Sequence, residues 1–124
     1  MGRVYDIADI AEDGWRTVER SGAKQVLSHL LLGVEEGGNT RLAVTRIDPG
    51  GTFGPHVDDY GHVICVVSGH GEMKIGGRRH PVGPGSVMLS DPGEPHGMWA
   101  AEDEALVMVA ANIYASDDDA SSAG

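Results

Sequence analysis

Four side chains in two short stretches have the types and the spacing that a transition-metal ion requires. His56, Asp58 and His62 stand in Gly50–Gly69, just ahead of the apolar run Val63–Val67. His56 and Asp58 are two apart, so on an extended backbone they project from one face. Gly54-Pro55 before them and Tyr60-Gly61 after them read as bends, which can bring His62 back beside the pair. The fourth, His96, closes the stretch Asp91-Pro92-Gly93-Glu94-Pro95-His96. A divalent transition ion takes borderline nitrogen and hard oxygen donors at about 2.0–2.2 Å. Three imidazoles and one carboxylate supply that set. His56, Asp58 and His96 also stand in the order of a two-histidine, one-carboxylate facial triad, which leaves positions open on Fe(II) for substrate and oxygen. His62 is then either a fourth ligand or a base beside the metal.

This spacing resembles the cupin superfamily. The first family motif, G-x5-H-x-H-x3,4-E-x6-G, is met without a gap at Gly50, His56, Asp58, His62 and Gly69. The second, G-x5-P-x-G-x2-H-x3-N, is met at Gly85, Gly93 and His96. Asp58 stands where the family has a second histidine and His62 where it has glutamate. Asp91 replaces the motif proline and Ala100 the asparagine. The ligand types are exchanged, but their number is kept. The resemblance runs from Leu42 to Ile113 and implies an all-β double-stranded β-helix, a jelly-roll barrel. It implies a bound divalent transition metal, with Fe(II) favoured and Mn, Ni or Zn as alternatives, and a small-molecule substrate.

Cupins host many activities, so fold alone does not choose among them. The H-x-D…H order favours oxygenase or dioxygenase chemistry. A metal-dependent isomerase, cyclase or lyase is one alternative, and a non-catalytic module binding a metal or small molecule is another. His62 and Glu94 are the candidate acid–base residues. Tyr60, within the first motif, and Met98, on the same strand face as His96, are candidate pocket residues.

The elements that must position these groups are short and apolar, separated by turns. Trp15–Arg20 alternates, and Lys24–Val34 reads as a strand covered on both faces, flanked by Ser21-Gly22 and Glu36-Gly37-Gly38 turns. Val4–Asp13 fits either a short helix or an irregular arm. In Arg41–Ile47, Leu42, Val44 and Arg46 share a face; if Leu42 and Val44 point into the barrel, Arg46 does too and becomes a candidate anchor for a substrate carboxylate. Val63, Cys65 and Val67 make the outer face of the following strand apolar, as expected of a surface that meets a second subunit or the N-terminal arm. A homodimer is expected. Glu72–Ile75 and Arg78–Val82 flank a Gly76-Gly77 hairpin, and Ser86–Ser90, a strand from His96, and Ala105–Ile113 complete about nine strands, as in a jelly roll.

Composition agrees with this reading. The chain has 124 residues, enough for one core without staples, and its 19 glycines and 6 prolines lie between the apolar runs. Residues 1–22 read as an arm with a first strand, 23–115 as the barrel and 116–124 as a disordered acidic tail. The single cysteine, Cys65, reads as a small buried hydrophobe, and nothing calls for an oxidising compartment. A formal charge of −10 argues against nucleic acid as a partner. No apolar stretch reaches the ~20 residues of a membrane span, so the expected location is the cytoplasm.

Overall fold

The computed structural model describes residues 2–115; the expected acidic tail at 116–124 lies outside them. Two 3-10 turns, Ile7–Asp9 and Glu12–Gly14, open the chain. Nine strands follow among the described residues: β1 Arg16–Thr17, β2 Ala23–Leu32, β3 Thr40–His56, β4 Gly61–Ser68, β5 Gly71–Ile75, β6 Arg78–Val82, β7 Val87–Ser90, β8 His96–Ala100 and β9 Leu106–Ile113. One helical turn, α1 at Val34–Gly37, joins β2 to β3. The alternating Trp15–Arg20 stretch is a strand only over Arg16–Thr17, with one further backbone hydrogen bond from Val18 to Val26, and the turn expected at Glu36–Gly38 is partly this helix.

All pairings are antiparallel, in the order β6-β5-β8-β3-β9-β4-β7, with β2 also on β3. The long strand β3 makes two layers of this one path. Its first half, Thr40–Ile47, pairs with β9. Its second half, from Thr52 to His56, pairs with β8. Between them lies Asp48-Pro49-Gly50-Gly51, where Gly50 takes φ +73°, a left-handed conformation that costs glycine nothing. The bend folds the sheet over itself, and Ile47, Ile64, Val66, Met73, Leu106 and Met108 fill the space between. The result is the expected curled, all-β architecture.

Strand β4 faces as its sequence suggests, with His62, Ile64 and Val66 buried. Strand β3 does not. Arg41, Ala43 and Thr45 line the interior cavity, and Arg46 points outward. The Arg46 guanidinium lies 4.7 Å from the centre of the Trp15 ring, 3.0 Å from Asp48 and 3.8 Å from Glu12. Arg46 is therefore not a pocket residue. The N-terminal arm covers this outer face and is tied to it by His29, whose Nδ1 is 2.7 Å from the Gly14 carbonyl. Val44, opposite His29 in register, is fully buried. Both faces of β3 are covered, so alternation alone cannot say which one is inside.

Candidate metal centre

His56 ends β3 and His96 opens β8, and the two are register partners across the seam between the layers. Their approach depends on small neighbours. A Cβ on Gly54 would lie 2.8 Å from the Gly97 Cα, so no side chain fits while β3 and β8 keep this spacing. Gly54→Ala is expected to force the strands apart, at a cost of about 1–3 kcal/mol for overpacking, and to weaken metal binding as His56 and His96 separate. Thermal unfolding and metal titration of the variant check this.

Asp58 sits in the β3–β4 loop, whose backbone is fixed by the Gly93 N–H donating to the Asp58 carbonyl at 2.7 Å. That bond joins the two loops that carry the ligand motifs. The Asp58 side chain is 6% exposed and turns its two oxygens in different directions. Oδ1 accepts a hydrogen bond from Arg20 Nη2 at 2.7 Å. Oδ2 faces three imidazoles: His62 Nε2 at 2.8 Å, His56 Nε2 at 3.4 Å and His96 Nε2 at 3.7 Å. Burial works against the charged carboxylate. The hydrogen bonds from His56, His62 and Arg20, with the Arg20 charge, outweigh it and hold Asp58 well below the usual carboxylate range.

His96 carries the clearest mark of a ligand. Its Nδ1–H donates to the Glu94 carbonyl at 2.9 Å, which leaves the Nε2 lone pair free. That Nε2 is buried and has no hydrogen-bond partner among the described residues. Buried polar atoms are rarely left so, and an imidazole with one nitrogen fixed by a carbonyl and the other open is the usual arrangement of a metal-binding histidine. Burial, with the nearby His56 and His62, lowers the pKa of His96 and favours the neutral, ligating form.

Ligand atoms of His56, Asp58 and His96 lie within 4.8 Å of one another. Donors about 2.1 Å from one ion lie roughly 3.0–3.4 Å apart, so the His56 and His96 separations from Asp58 need only a small contraction. His62 is different. Its Nε2 is at hydrogen-bond distance from Asp58 Oδ2, outside the converging three. The residues fit a divalent metal held by His56, Asp58 and His96, with His62 bonded to the carboxylate.

These groups open on a cavity of about 1270 Å3. Tyr60 and Met98 both line it. The Tyr60 ring packs 4.9 Å from His62 and 4.8 Å from Tyr114, and burial pushes its hydroxyl up to about 12. Glu94 is placed otherwise than expected of an acid or base at the metal. Its carboxylate accepts the Asp91 N–H at 3.1 Å within its own loop, and only its carbonyl serves the site, through His96. Three contributors were not singled out in the sequence. Arg20 is 38 positions from Asp58, and Phe53 stacks on His56 at 4.4 Å. Asn112 donates to the Tyr114 hydroxyl at 3.1 Å on the cavity wall. Phe53 alone had a local signal, being three residues before His56 in the motif.

Residues 43–112 match the family model described as a Cupin domain. No protein of curated function matches the sequence significantly. Among solved structures, the chain is similar to RemF, a polyketide cyclase from Streptomyces resistomycificus, at 24% identity and TM-score 0.77, covering 91% of this chain and 80% of that one. It is similar to a predicted oxalate decarboxylase from Thermotoga maritima at 22% identity and TM-score 0.77, covering 90% and 99%. It is also similar to a cupin-2 domain from Rhodospirillum rubrum at 17% identity and TM-score 0.75, covering 94% and 77%. At these identities the likeness is one of fold.

Proposed function

The chain belongs to the cupin domain family, and on that premise we propose that it is a metal-dependent enzyme acting on a small organic molecule. His56, Asp58 and His96 hold one divalent transition ion, Fe(II) by preference, with Mn, Ni or Zn also suited to the donor set. The observation that carries this reading is the buried, unpartnered Nε2 of His96 facing His56 and Asp58. The bound ion supplies a Lewis-acid or redox centre, and three protein ligands leave positions open for substrate.

The chain's own residues do the rest. Asp58 brings the one negative charge among the ligands, and Arg20 fixes which oxygen faces inward. His62, hydrogen-bonded to that inward oxygen and with its ring 4.8 Å from that of His96, is the acid–base candidate. Tyr60 keeps its proton at any physiological pH, so its hydroxyl is available as a donor to a bound substrate. The apolar wall of Ile64, Met98 and Met108 limits water. Oxygenase chemistry is favoured by the two-histidine, one-carboxylate set. A cyclase, isomerase or lyase is the second reading, supported by the hydrogen bond of His62 to the inward oxygen of Asp58.

Elemental analysis of protein purified without a histidine tag tests the metal. Oxygen consumption by the Fe(II)-loaded protein, over diketones, catechols and small acids, tests the chemistry. A preparation that stays metal-free in excess Fe(II), Mn, Ni and Zn rejects the reading. His62→Ala is expected to keep stoichiometric metal while turnover falls by roughly 10²–10⁴-fold, the usual worth of a positioned acid–base group. Loss of the metal would instead make His62 a ligand.

We also propose a homodimer and a cytoplasmic location. The N-terminal arm covers β2 and β3, but on the outer face of β4 and β7 it leaves Val67, Val87 at 59% and Leu89 at 67% exposed. The free Cys65 lies on the same face. Sedimentation is expected to show a dimer that Leu89→Glu dissociates; an unchanged monomer for the parent protein rejects it. Among the described residues no helix is long and apolar enough to cross a membrane.

A further inference from the structure

One row of side chains on the inner face runs from the histidine cluster to an unpaired cation. Ser90, His62, Asn112 and Arg41 are successive register partners on β7, β4, β9 and β3. Directly opposed residues of antiparallel strands share a face. Neighbouring strands are about 4.8 Å apart, so the Arg41 and His62 backbones are roughly 10 Å apart. His62, Asn112 and Arg41 all line the one cavity.

Among the described residues Arg41 is the one partly buried arginine without an ion pair, Arg16 and Arg78 being unpaired but exposed. Acidic residues outnumber basic ones 19 to 9, and Arg3, Arg20, Arg46 and Arg79 each pair with a carboxylate. Arg41 pairs with none among the described residues, although it is partly buried and carboxylates are plentiful. It faces the cavity instead. Beside it Asn112 donates to the Tyr114 hydroxyl, which leaves that hydroxyl's own proton free to be given to an acceptor. Between Arg41 and His62 the row holds Asn112, and the next row of the same face, Ala43, Ala110 and Ile64, is apolar. Arg16 also lines the cavity unpaired, but it is exposed and lies off this row.

We propose that Arg41 is the carboxylate anchor of the site, and that the substrate is a small organic acid whose far end carries an oxygen donor for the His56–Asp58–His96 centre. This rests on the metal-centre reading given above. A planar guanidinium meets a carboxylate with two parallel hydrogen bonds, so it fixes orientation as well as charge. Two strand spacings separate the two polar ends, so ligands of one length satisfy both.

The Co(II)-loaded protein, titrated with the straight-chain dicarboxylates from succinate to sebacate and with monocarboxylates of equal length, tests this through its visible spectrum and calorimetry. The expected result is a length optimum at which the dicarboxylate binds at least roughly tenfold tighter, about 1.4 kcal/mol. Arg41→Gln should abolish that advantage, with metal content and thermal unfolding unchanged. Arg41→Lys should keep part of it, because the charge remains without the fork. Arg16→Gln should leave it intact. An Arg41→Gln protein that retains the advantage, or a parent protein with no length optimum, overturns the anchor while leaving the metal reading standing. Monocarboxylate binding to metal-free protein separates the two ideas. If no metal binds but decanoate affinity still falls with Arg41→Gln, the anchor holds and the metal reading fails; if that affinity is unchanged, the anchor fails too.

Discussion

Replacing His96 or His56 with alanine is expected to strip most of the bound metal and leave the barrel folded. Each imidazole is one of three converging ligands. Even a residue that only orients a ligand is worth about 10–100-fold in metal affinity, so loss of a ligand itself should exceed about 100-fold. The fold should survive because neither ring holds up much of the protein. The Nε2 of His96 has no hydrogen-bond partner among the described residues, and its removal strands the Glu94 carbonyl. The space left adjoins an existing cavity instead of opening a sealed void, so the cost should lie near the low end of core truncations, about 1–3 kcal/mol. Metal content after dialysis, read beside circular dichroism, decides it. Folded variants that keep one metal per chain would refute the ligand assignment.

Arg20→Ala should give the next largest effect, through Asp58 instead of through any contact with metal. The guanidinium holds Asp58 Oδ1 at 2.7 Å and leaves Oδ2 to the imidazoles. Without it the carboxylate is free to rotate, and metal affinity is expected to fall about 10–100-fold. The metal-free protein should also lose stability. A hydrogen bond between charged groups is worth about 1.5–3 kcal/mol, but the Arg20 side chain is 36% exposed, and solvent screening brings the expectation down to about 1–2 kcal/mol.

The pH dependence has a definite sign. A depressed carboxylate stabilises the fold above its unfolded pKa, and that stability is lost as pH falls through the folded value. Arg20→Ala raises the folded value of Asp58, so the parent's advantage should be full at neutral pH. It should narrow only below about pH 4, where Asp58 begins to protonate in the variant. Denaturant unfolding of the metal-free proteins from neutral to acidic pH measures this. A gap that stays constant into strong acid would mean Arg20 acts by packing on Phe53, 5.9 Å away, and not through the charge on Asp58. In an Asp58→Asn background the Arg20→Ala cost should largely vanish.

Much of the protein is local and so was legible in the chain. The glycine-bounded apolar runs became strands, Gly76-Gly77 became the turn between β5 and β6, and His62, Ile64 and Val66 faced inward together. His56 and Asp58, two apart, were already bound to approach each other, and the motif spacing carried His96 to them. What needed the tertiary structure was every relation between distant segments. Alternation along β3 gave two faces, but the arm that covers one of them lies some 30 residues earlier by its Trp15–Arg46 contact, so the inward arginine is Arg41 and not Arg46. Glu94 shares its loop with His96, yet its side chain bonds backward and only its carbonyl reaches the ring. Arg20 reaches Asp58 only because β2 lies against β3. Period and spacing fix what neighbours along a strand can do. Register between strands decides which charges meet, and register is a property of the packed sheet.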